Sequence, residues 1–238
     1  MTGHSSFFHT QKKMFKLFKK REQKLWEACN EGKVQKVQRL LQNSKLNTNW
    51  QDSDGDTAFV IACANGHSEI VKLLLNDNRV EVNKANEYGE TPFYIACEKG
   101  RIEIVKLFLN NERVDINKED NKEATPFMAA CREGQFEIVK LLLNDQRVDV
   151  NKADNYGTTP FWFACFCGHV DFVKLLLNDE RNDINKALNN GITPFYAACI
   201  QGHTEVINLL RNESNFFPSF SCFHSFILSF STNHSFSS

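Results

Sequence analysis

The chain has 238 residues, of which 42% are hydrophobic and 24% are charged, so it is long enough and apolar enough to form a packed interior. Its 28 lysine and arginine residues nearly balance its 29 aspartate and glutamate residues, and the net charge of −1 argues against a specific nucleic-acid partner. No apolar run reaches the roughly 18 residues of a membrane-spanning helix, and no secretory signal peptide is expected, so we expect a cytoplasmic protein.

Residues 1–22 are interpreted as a basic amphipathic extension. The first 24 residues carry six lysines and one arginine against a single glutamate. Apolar residues recur at helical spacing, namely Met14, Leu17, Phe18 and Leu25. This helix either packs its apolar stripe on the following domain or binds a calmodulin-like groove, nucleic acid or an anionic membrane surface. The lysines available for membrane contact are Lys12, Lys13, Lys16, Lys19 and Lys20.

A repeat of 34 residues follows. It is marked by equally spaced threonines, Thr57, Thr91, Thr125, Thr159 and Thr193. These threonines open the strings TAFVIAC, TPFYIAC, TPFMAAC, TPFWFAC and TPFYAAC, and a looser copy, QKLWEAC, starts at Gln23. We therefore predict one repeat domain over residues 23–214, with six repeats that start near residues 23, 57, 91, 125, 159 and 193, the last of them incomplete.

Each repeat has the signals of two short helices and a turn. In the third repeat, Thr91 is a good N-cap, Pro92 suits the first helical position, and Gly100 can end the first helix in the left-handed conformation. An acidic residue opens the second helix of repeats two to six, at Glu69, Glu103, Glu137, Asp171 and Glu205. One pair of short helices cannot bury its apolar face alone, so neighbouring repeats must stack.

These residues resemble the ankyrin repeat, whose core reads D-x-x-G-x-T-P-L-H-x-A-A-x-x-G-H. The resemblance covers about four fifths of the chain and implies an all-α ankyrin-repeat solenoid of stacked helix–turn–helix units with hairpin-like fingers. It also implies a non-enzymatic scaffold that binds a protein on the concave face, formed by the finger tips and the exposed sides of the first helices. We expect this scaffold to be monomeric.

The sequence departs from the family pattern at several places, two of which bear on the packing and the turns. The histidine after T-P-L is replaced, by Val60, Tyr94, Met128, Trp162 and Tyr196. The hydrogen-bond network attributed to that histidine is therefore not expected, and bulkier packing between repeats takes its place. The turn glycine is replaced by Glu123, so we expect an irregular finger between the third and fourth repeats.

Six cysteines share one repeat position, Cys29, Cys63, Cys97, Cys131, Cys165 and Cys199. Equivalent helices in a stack lie about 8–10 Å apart, which is too far for disulfides, so we interpret these residues as buried apolar side chains in a reducing compartment. The string Cys165-Phe-Cys167-Gly-His169 invites a metal site, but Cys165 should point into the stack and Cys167 away from it. No metal, cofactor or catalytic motif is predicted.

The resemblance assigns the partner-binding surface to positions that vary between repeats. The candidates are Tyr88, Glu98, Lys99, Arg132, Glu133, Tyr156, Phe166 and Ile200. The tyrosines, Phe166 and Ile200 are the expected anchors, because aromatic and large apolar side chains dominate interface energies. An alternative for Phe166 and Ile200 is that they pack against each other between adjacent repeats.

Residues 215–238 form a tail rich in phenylalanine and serine. It either covers the last repeat with an apolar stripe or is a disordered or artefactual extension. The stripe would consist of Phe217, Phe220, Phe223, Ile227 and Phe230. Two further functions stay open, a membrane-surface adaptor anchored by the basic N-terminal helix and a fragment of a larger multidomain ankyrin protein.

Overall fold

The computed structural model describes residues 21–213. The lysines proposed for membrane contact, Lys12 to Lys20, and the tail of residues 215–238 lie outside this range, so the predictions made for both segments remain predictions.

Residues 21–213 contain twelve helices, two in each repeat. The first helices of the six repeats are α1 (residues 21–30), α3 (Ala58–Asn65), α5 (Pro92–Glu98), α7 (Pro126–Arg132), α9 (Pro160–Cys167) and α11 (Pro194–Gln201). The second helices are α2 (Val34–Leu41), α4 (Ser68–Leu75), α6 (Ile102–Leu109), α8 (Phe136–Leu143), α10 (Val170–Leu177) and α12 (Thr204–Arg211). Within the described residues no strand forms, and β pairing is limited to an isolated bridge between Gln51 and Thr57. The predicted all-α fold is confirmed.

The described chain divides into an N-terminal unit that ends at Val148 and a C-terminal unit that begins at Asp149. In the N-terminal unit α3, α5 and α7 pack side by side in one layer, and α4, α6 and α8 form a second layer behind them. In the C-terminal unit α9 packs against α11 and α10 packs against α12. Each unit is therefore a stack of helix pairs, as expected for an ankyrin solenoid.

Threonine caps start the first helices as predicted. The hydroxyl of Thr91 accepts a hydrogen bond from the backbone N–H of Tyr94 at 3.1 Å, and the four equivalent threonines make the same contact. Proline follows the threonine in α5, α7, α9 and α11, where its missing N–H leaves no hydrogen bond unmade. Glycines with positive φ, such as Gly66 and Gly168, end these helices.

The cysteines at the shared repeat position are free thiols, as predicted. Five of them are buried, and Cys199 in the last repeat is half-buried. Burial raises the pKa of the Cys29 thiol to about 12 and also raises the pKa of Cys97 well above its usual value. These side chains therefore act as small apolar groups within the stack.

Four of the five side chains that replace the family histidine are buried, Tyr196 in the last repeat is half-buried, and two of them, Tyr94 and Trp162, form hydrogen bonds to the following finger. Tyr94 is buried, and its hydroxyl lies 3.1 Å from Oδ2 of Asp120 in the following finger. In the C-terminal unit Nε1 of Trp162 donates to the carbonyl of Ile192 at 3.0 Å. Bulkier side chains thus still link successive repeats through polar contacts, which the sequence analysis did not anticipate.

A row of arginines joins each repeat to the end of the preceding second helix. Arg79 donates to the carbonyl of Leu41, Arg113 to that of Leu75, and Arg147 to that of Leu109. These carbonyls belong to the last residues of α2, α4 and α6, where the helix dipole favours a positive charge. Asparagines form a parallel row within the fingers, because the side chains of Asn49, Asn83 and Asn117 donate to the backbone carbonyls of these same arginines.

The expectation of an irregular finger at Glu123 is wrong. Glu123 adopts the left-handed conformation with φ 63°, and its backbone N–H donates to the Asp120 carbonyl at 3.0 Å. Gly89 and Gly157 make the same bond to Asn86 and Asp154 at 3.1 and 2.9 Å. The turn keeps its geometry without glycine because the hydrogen bonds of Asp120 fix the backbone around it.

Candidate partner-binding surface

The finger tips present two tyrosines on fixed backbone. Oδ1 of Asn86 accepts the backbone N–H groups of Tyr88 and Glu90, each at 3.0 Å, and Asp154 holds Tyr156 in the same way at 2.9 Å. These contacts close each turn as an Asx motif, so the tyrosine stands at the tip. The Tyr88 and Tyr156 side chains are 62% and 65% exposed.

Backbone contacts between neighbouring fingers hold these tips in place. The carbonyl of Tyr88 accepts a hydrogen bond from the N–H of Asn121 at 3.0 Å in the N-terminal unit. In the C-terminal unit the carbonyl of Tyr156 accepts one from Asn189 at 3.1 Å. Because the backbone N–H and carbonyl of each tyrosine are both hydrogen-bonded, a partner would meet a tip with a pre-ordered backbone rather than a mobile loop.

The charged candidates Glu98, Lys99, Arg132 and Glu133 lie together at the ends of α5 and α7 in the N-terminal unit. Arg132 lies 3.3 Å from Oε1 of Glu98 and 3.1 Å from Oε1 of Glu133, and Lys99 lies 2.9 Å from the other carboxylate oxygen of Glu98. These four residues thus form one ion-pair network rather than four independent contacts. The network carries no net charge, so it is suited to be a polar rim and not a source of charge attraction.

A groove of about 460 Å³ lies beside Tyr88, between the fingers and the first helices α3 and α5. Its lining includes the apolar side chains of Val60, Ala64 and Ile95. Acidic residues also line it, namely Asp54, Asp56, Glu90 and Glu98. Asp56 and Glu90 fall at equivalent positions of neighbouring fingers, 34 residues apart.

The C-terminal unit presents the apolar candidates. Phe166 on α9 stacks on Trp162 of the same helix, with ring centroids 5.2 Å apart and an interplanar angle of 13°. Phe166 is 38% exposed and Ile200 on α11 is 58% exposed. Both side chains therefore offer apolar surface on the first-helix side of this unit, together with the tip residue Tyr156.

The string around Cys165 does not bring metal ligands together. Cys165 is buried and Cys167 is half-exposed, whereas the His169 ring lies against Phe172 at a centroid distance of 5.8 Å. Across residues 21–213, no group of three or more His, Cys, Asp or Glu side chains is placed to hold a metal ion. In the same range, no helix is long and apolar enough to cross a bilayer.

Comparison with known proteins identifies the fold. A family profile described as ankyrin repeats (3 copies) matches residues 25–120 and 108–187, and the single ankyrin repeat profile matches residues 190–216. The structure is similar to the crystal structure of EF0377, an ankyrin repeat protein, with a TM-score of 0.74 and 30% sequence identity. That alignment covers 81% of this chain and 98% of the other. No curated protein matches the sequence significantly.

Proposed function

This chain belongs to the ankyrin repeat family, and from that premise we propose that it is a non-enzymatic scaffold that binds a protein partner on its concave face. Ankyrin repeats are generally protein–protein interaction modules. The observation that carries the proposal for this chain is the exposure of Tyr88 and Tyr156 at tips whose backbone is fixed. A rigid aromatic side chain costs little ordering entropy on binding, so such tips are favourable anchors.

The remaining candidates complete the proposed surface. Phe166 and Ile200 add exposed apolar area in the same unit as Tyr156, and the ion-pair network of Glu98, Lys99, Arg132 and Glu133 adds a polar rim near Tyr88. An aromatic anchor that becomes fully desolvated contributes about 2 kcal/mol or more to binding. Two or three such anchors therefore support a specific interaction with a protein partner.

We also propose a cytoplasmic location and a monomeric state. Free thiols at the shared cysteine position support a reducing compartment. The membrane-surface adaptor remains an alternative proposal, since its lysines, Lys12 to Lys20, lie outside the described residues. The proposal of a fragment of a larger protein is likewise kept as an alternative.

The proposal is tested by a capture experiment with the full chain. A protein captured from a cell lysate is identified by mass spectrometry, purified and titrated by calorimetry against the parent and a Tyr88→Ala, Tyr156→Ala, Phe166→Ala variant. We expect the triple variant to weaken the affinity about a hundredfold or more, because it removes three exposed anchors.

The matched control is Lys72→Ala, Lys106→Ala, Lys140→Ala, which alters the outer surfaces of α4, α6 and α8. It should leave the affinity unchanged within about threefold, because exposed lysines that form helical ion pairs contribute little. Equal affinities for the parent and the tyrosine variant would contradict the proposed surface.

A further inference from the structure

The groove beside Tyr88 contains carboxylates that are held close together. Nδ2 of Asn86 donates to Oδ1 of Asp56 at 3.1 Å and to Oε2 of Glu90 at 3.0 Å. Oδ1 of the same amide is occupied by the N–H groups of Tyr88 and Glu90, which fixes the direction of Nδ2. One amide nitrogen thus holds two carboxylates from neighbouring fingers at the wall of the groove.

Several other carboxylates of the N-terminal unit have a cationic partner. In the loops after the second helices Asp77 pairs with Arg79, and on the second helices Glu69 and Glu103 pair with Lys72 and Lys106. By contrast, among residues 21–213 no lysine or arginine forms an ion pair with the groove's Asp54, Asp56 or Glu90.

The absence of a counterion leaves this charge exposed to a binding partner. Burial, followed by the charges of Asp52, Asp54 and Glu90, raises the pKa of Asp56, although the Asn86 hydrogen bond opposes that shift. At neutral pH a positive charge placed in the groove would relieve this repulsion. Lys99 at the edge of the groove is already paired with Glu98.

The shape of the groove selects among possible cations. Within residues 21–213 no cluster of carboxylates is arranged to hold a metal ion, so a small ion has no ligand set here. The groove has a volume of about 460 Å³ and an apolar lining from Val60, Ala64 and Ile95. A lysine or arginine side chain fits both features, because its aliphatic stem packs on apolar surface while its charged head reaches the carboxylates.

We propose that this groove of the second and third repeats binds a lysine- or arginine-rich segment of a protein partner. The cationic head groups lie between Asp54, Asp56 and Glu90, and the exposed ring of Tyr88 covers one of them through a cation–π contact. The inference rests on the proposed protein-binding function and names the class of partner that this part of the surface accepts. The uncompensated negative charge would also steer the segment into the groove, with a rate that falls as salt rises.

The test uses the full chain and a fluorescein-labelled dodecapeptide with lysine at every second position, measured by fluorescence anisotropy. An otherwise identical peptide with glutamine in place of lysine is the ligand control. We expect the lysine peptide to bind and the glutamine peptide to bind at least about tenfold more weakly. Tyr88→Ala should weaken the lysine peptide about two- to fivefold.

Two charge-matched variants locate the site. Asp54→Asn, Asp56→Asn, Glu90→Gln should weaken the lysine peptide at least about tenfold, whereas Glu69→Gln, Glu103→Gln, Glu137→Gln should change its affinity less than about twofold. Both variants remove three negative charges, but the second set lies on α4, α6 and α8, away from the groove. Thermal unfolding by circular dichroism confirms that both remain folded.

Three results would overturn the inference. Equal binding of the two peptides would show that the groove does not recognise positive charge. Equal weakening by the two triple variants would show that the affinity depends on the net charge of the protein and not on the groove. Tighter binding, by about tenfold, after replacing Lys12, Lys13, Lys16, Lys19 and Lys20 with glutamine would show that the chain's own basic segment occupies the groove. If the Tyr88→Ala, Tyr156→Ala, Phe166→Ala variant loses affinity for the captured partner while the lysine and glutamine peptides bind the parent equally, the proposed function stands and this inference alone fails.

Discussion

Glu123 is, within residues 21–213, the one non-glycine residue with positive φ, at 63°. The left-handed conformation brings the β-carbon close to the backbone and costs about 1–2 kcal/mol for a residue other than glycine. The hydrogen bonds of the Asp120 turn maintain this conformation. The finger is therefore regular in geometry but strained at a single residue.

Replacing that residue with glycine should stabilise the protein. We expect Glu123→Gly to raise the free energy of unfolding by about 0.5–1 kcal/mol, since the relief of strain exceeds the extra entropy that glycine adds to the unfolded chain. Equilibrium urea unfolding measures the change. The adjacent Lys122→Gly, where φ is not positive, should instead lower the free energy of unfolding by about 0.5–1 kcal/mol. Destabilisation by both substitutions would contradict the strain at Glu123.

The site residues were predictable from repeat register only in part. The positions of Tyr88 and Tyr156 at the finger tips follow from aligning the repeats, and both side chains are exposed. The ion pair between Glu98 and Arg132 was not predicted from the sequence, although the two residues are 34 positions apart and therefore equivalent in adjacent repeats. Opposite charges at that spacing were the available signal. What register cannot supply is the side-chain rotamer, which decides whether two such residues meet.

Second helices are tied to the next repeat by the arginine row. Arg113 donates to the carbonyl of Leu75 at 3.0 Å, at the C-terminal end of α4, and also to the carbonyl of Val80. Both bonds are charge-assisted, and the one to Leu75 satisfies a carbonyl that the end of α4 leaves without a partner in the helix. The arginine therefore both caps one helix and fixes the spacing of two repeats.

Removing Arg113 should lower the free energy of unfolding more than removing an exposed lysine of the same repeat. We expect Arg113→Ala to lower the free energy of unfolding by about 1–3 kcal/mol, and Arg113→Lys to recover only part of the loss because lysine cannot reach both carbonyls with a planar fork. Lys106→Ala on α6 is the control, with an expected change below about 0.5 kcal/mol. Chemical denaturation of the three variants and the parent provides the comparison. A loss of less than about 0.5 kcal/mol for Arg113→Ala would show that solvent replaces these bonds without cost.

Helices were more predictable than the contacts between them. Thr91, Pro92 and Gly100 mark the ends of α5 through caps that act within one helix, and such local signals can be read directly from a sequence. The role of Arg113 was not recognised from the sequence, because its acceptor at Leu75 lies 38 positions earlier. The equal spacing of the arginines was the available signal that they have a structural role in every repeat.

At the scale of the whole molecule, the cysteines at the shared repeat position are buried free thiols in both units, apart from the half-buried Cys199. Cys29, Cys63, Cys97 and Cys131 are buried in the N-terminal unit and Cys165 is buried in the C-terminal unit. The stability of a repeat array is the sum of contributions from its repeats and their interfaces. A residue that recurs at one repeat position therefore contributes to this stability once in every repeat. Burial raises the pKa of each of these thiols, so they make a joint contribution to the pH dependence of stability.

The protein should lose stability as the pH rises above the ordinary pKa of cysteine, about 8.5. Below that pH the thiol is protonated in both states, so its contribution is complete. Above it the unfolded chain releases the proton while the buried thiol keeps it, and the free energy of unfolding falls by up to about 1.4 kcal/mol per pH unit for each thiol. Between about pH 7.5 and 9.5 the parent should therefore lose about 1 kcal/mol more than Cys97→Ala, which lacks one such thiol. Urea unfolding in the presence of a reductant measures both slopes, with Cys167→Ala as a control whose half-exposed thiol should alter the slope less. Identical slopes for the parent and Cys97→Ala would mean that this thiol ionises as easily in the folded protein as in the unfolded chain, which its burial forbids.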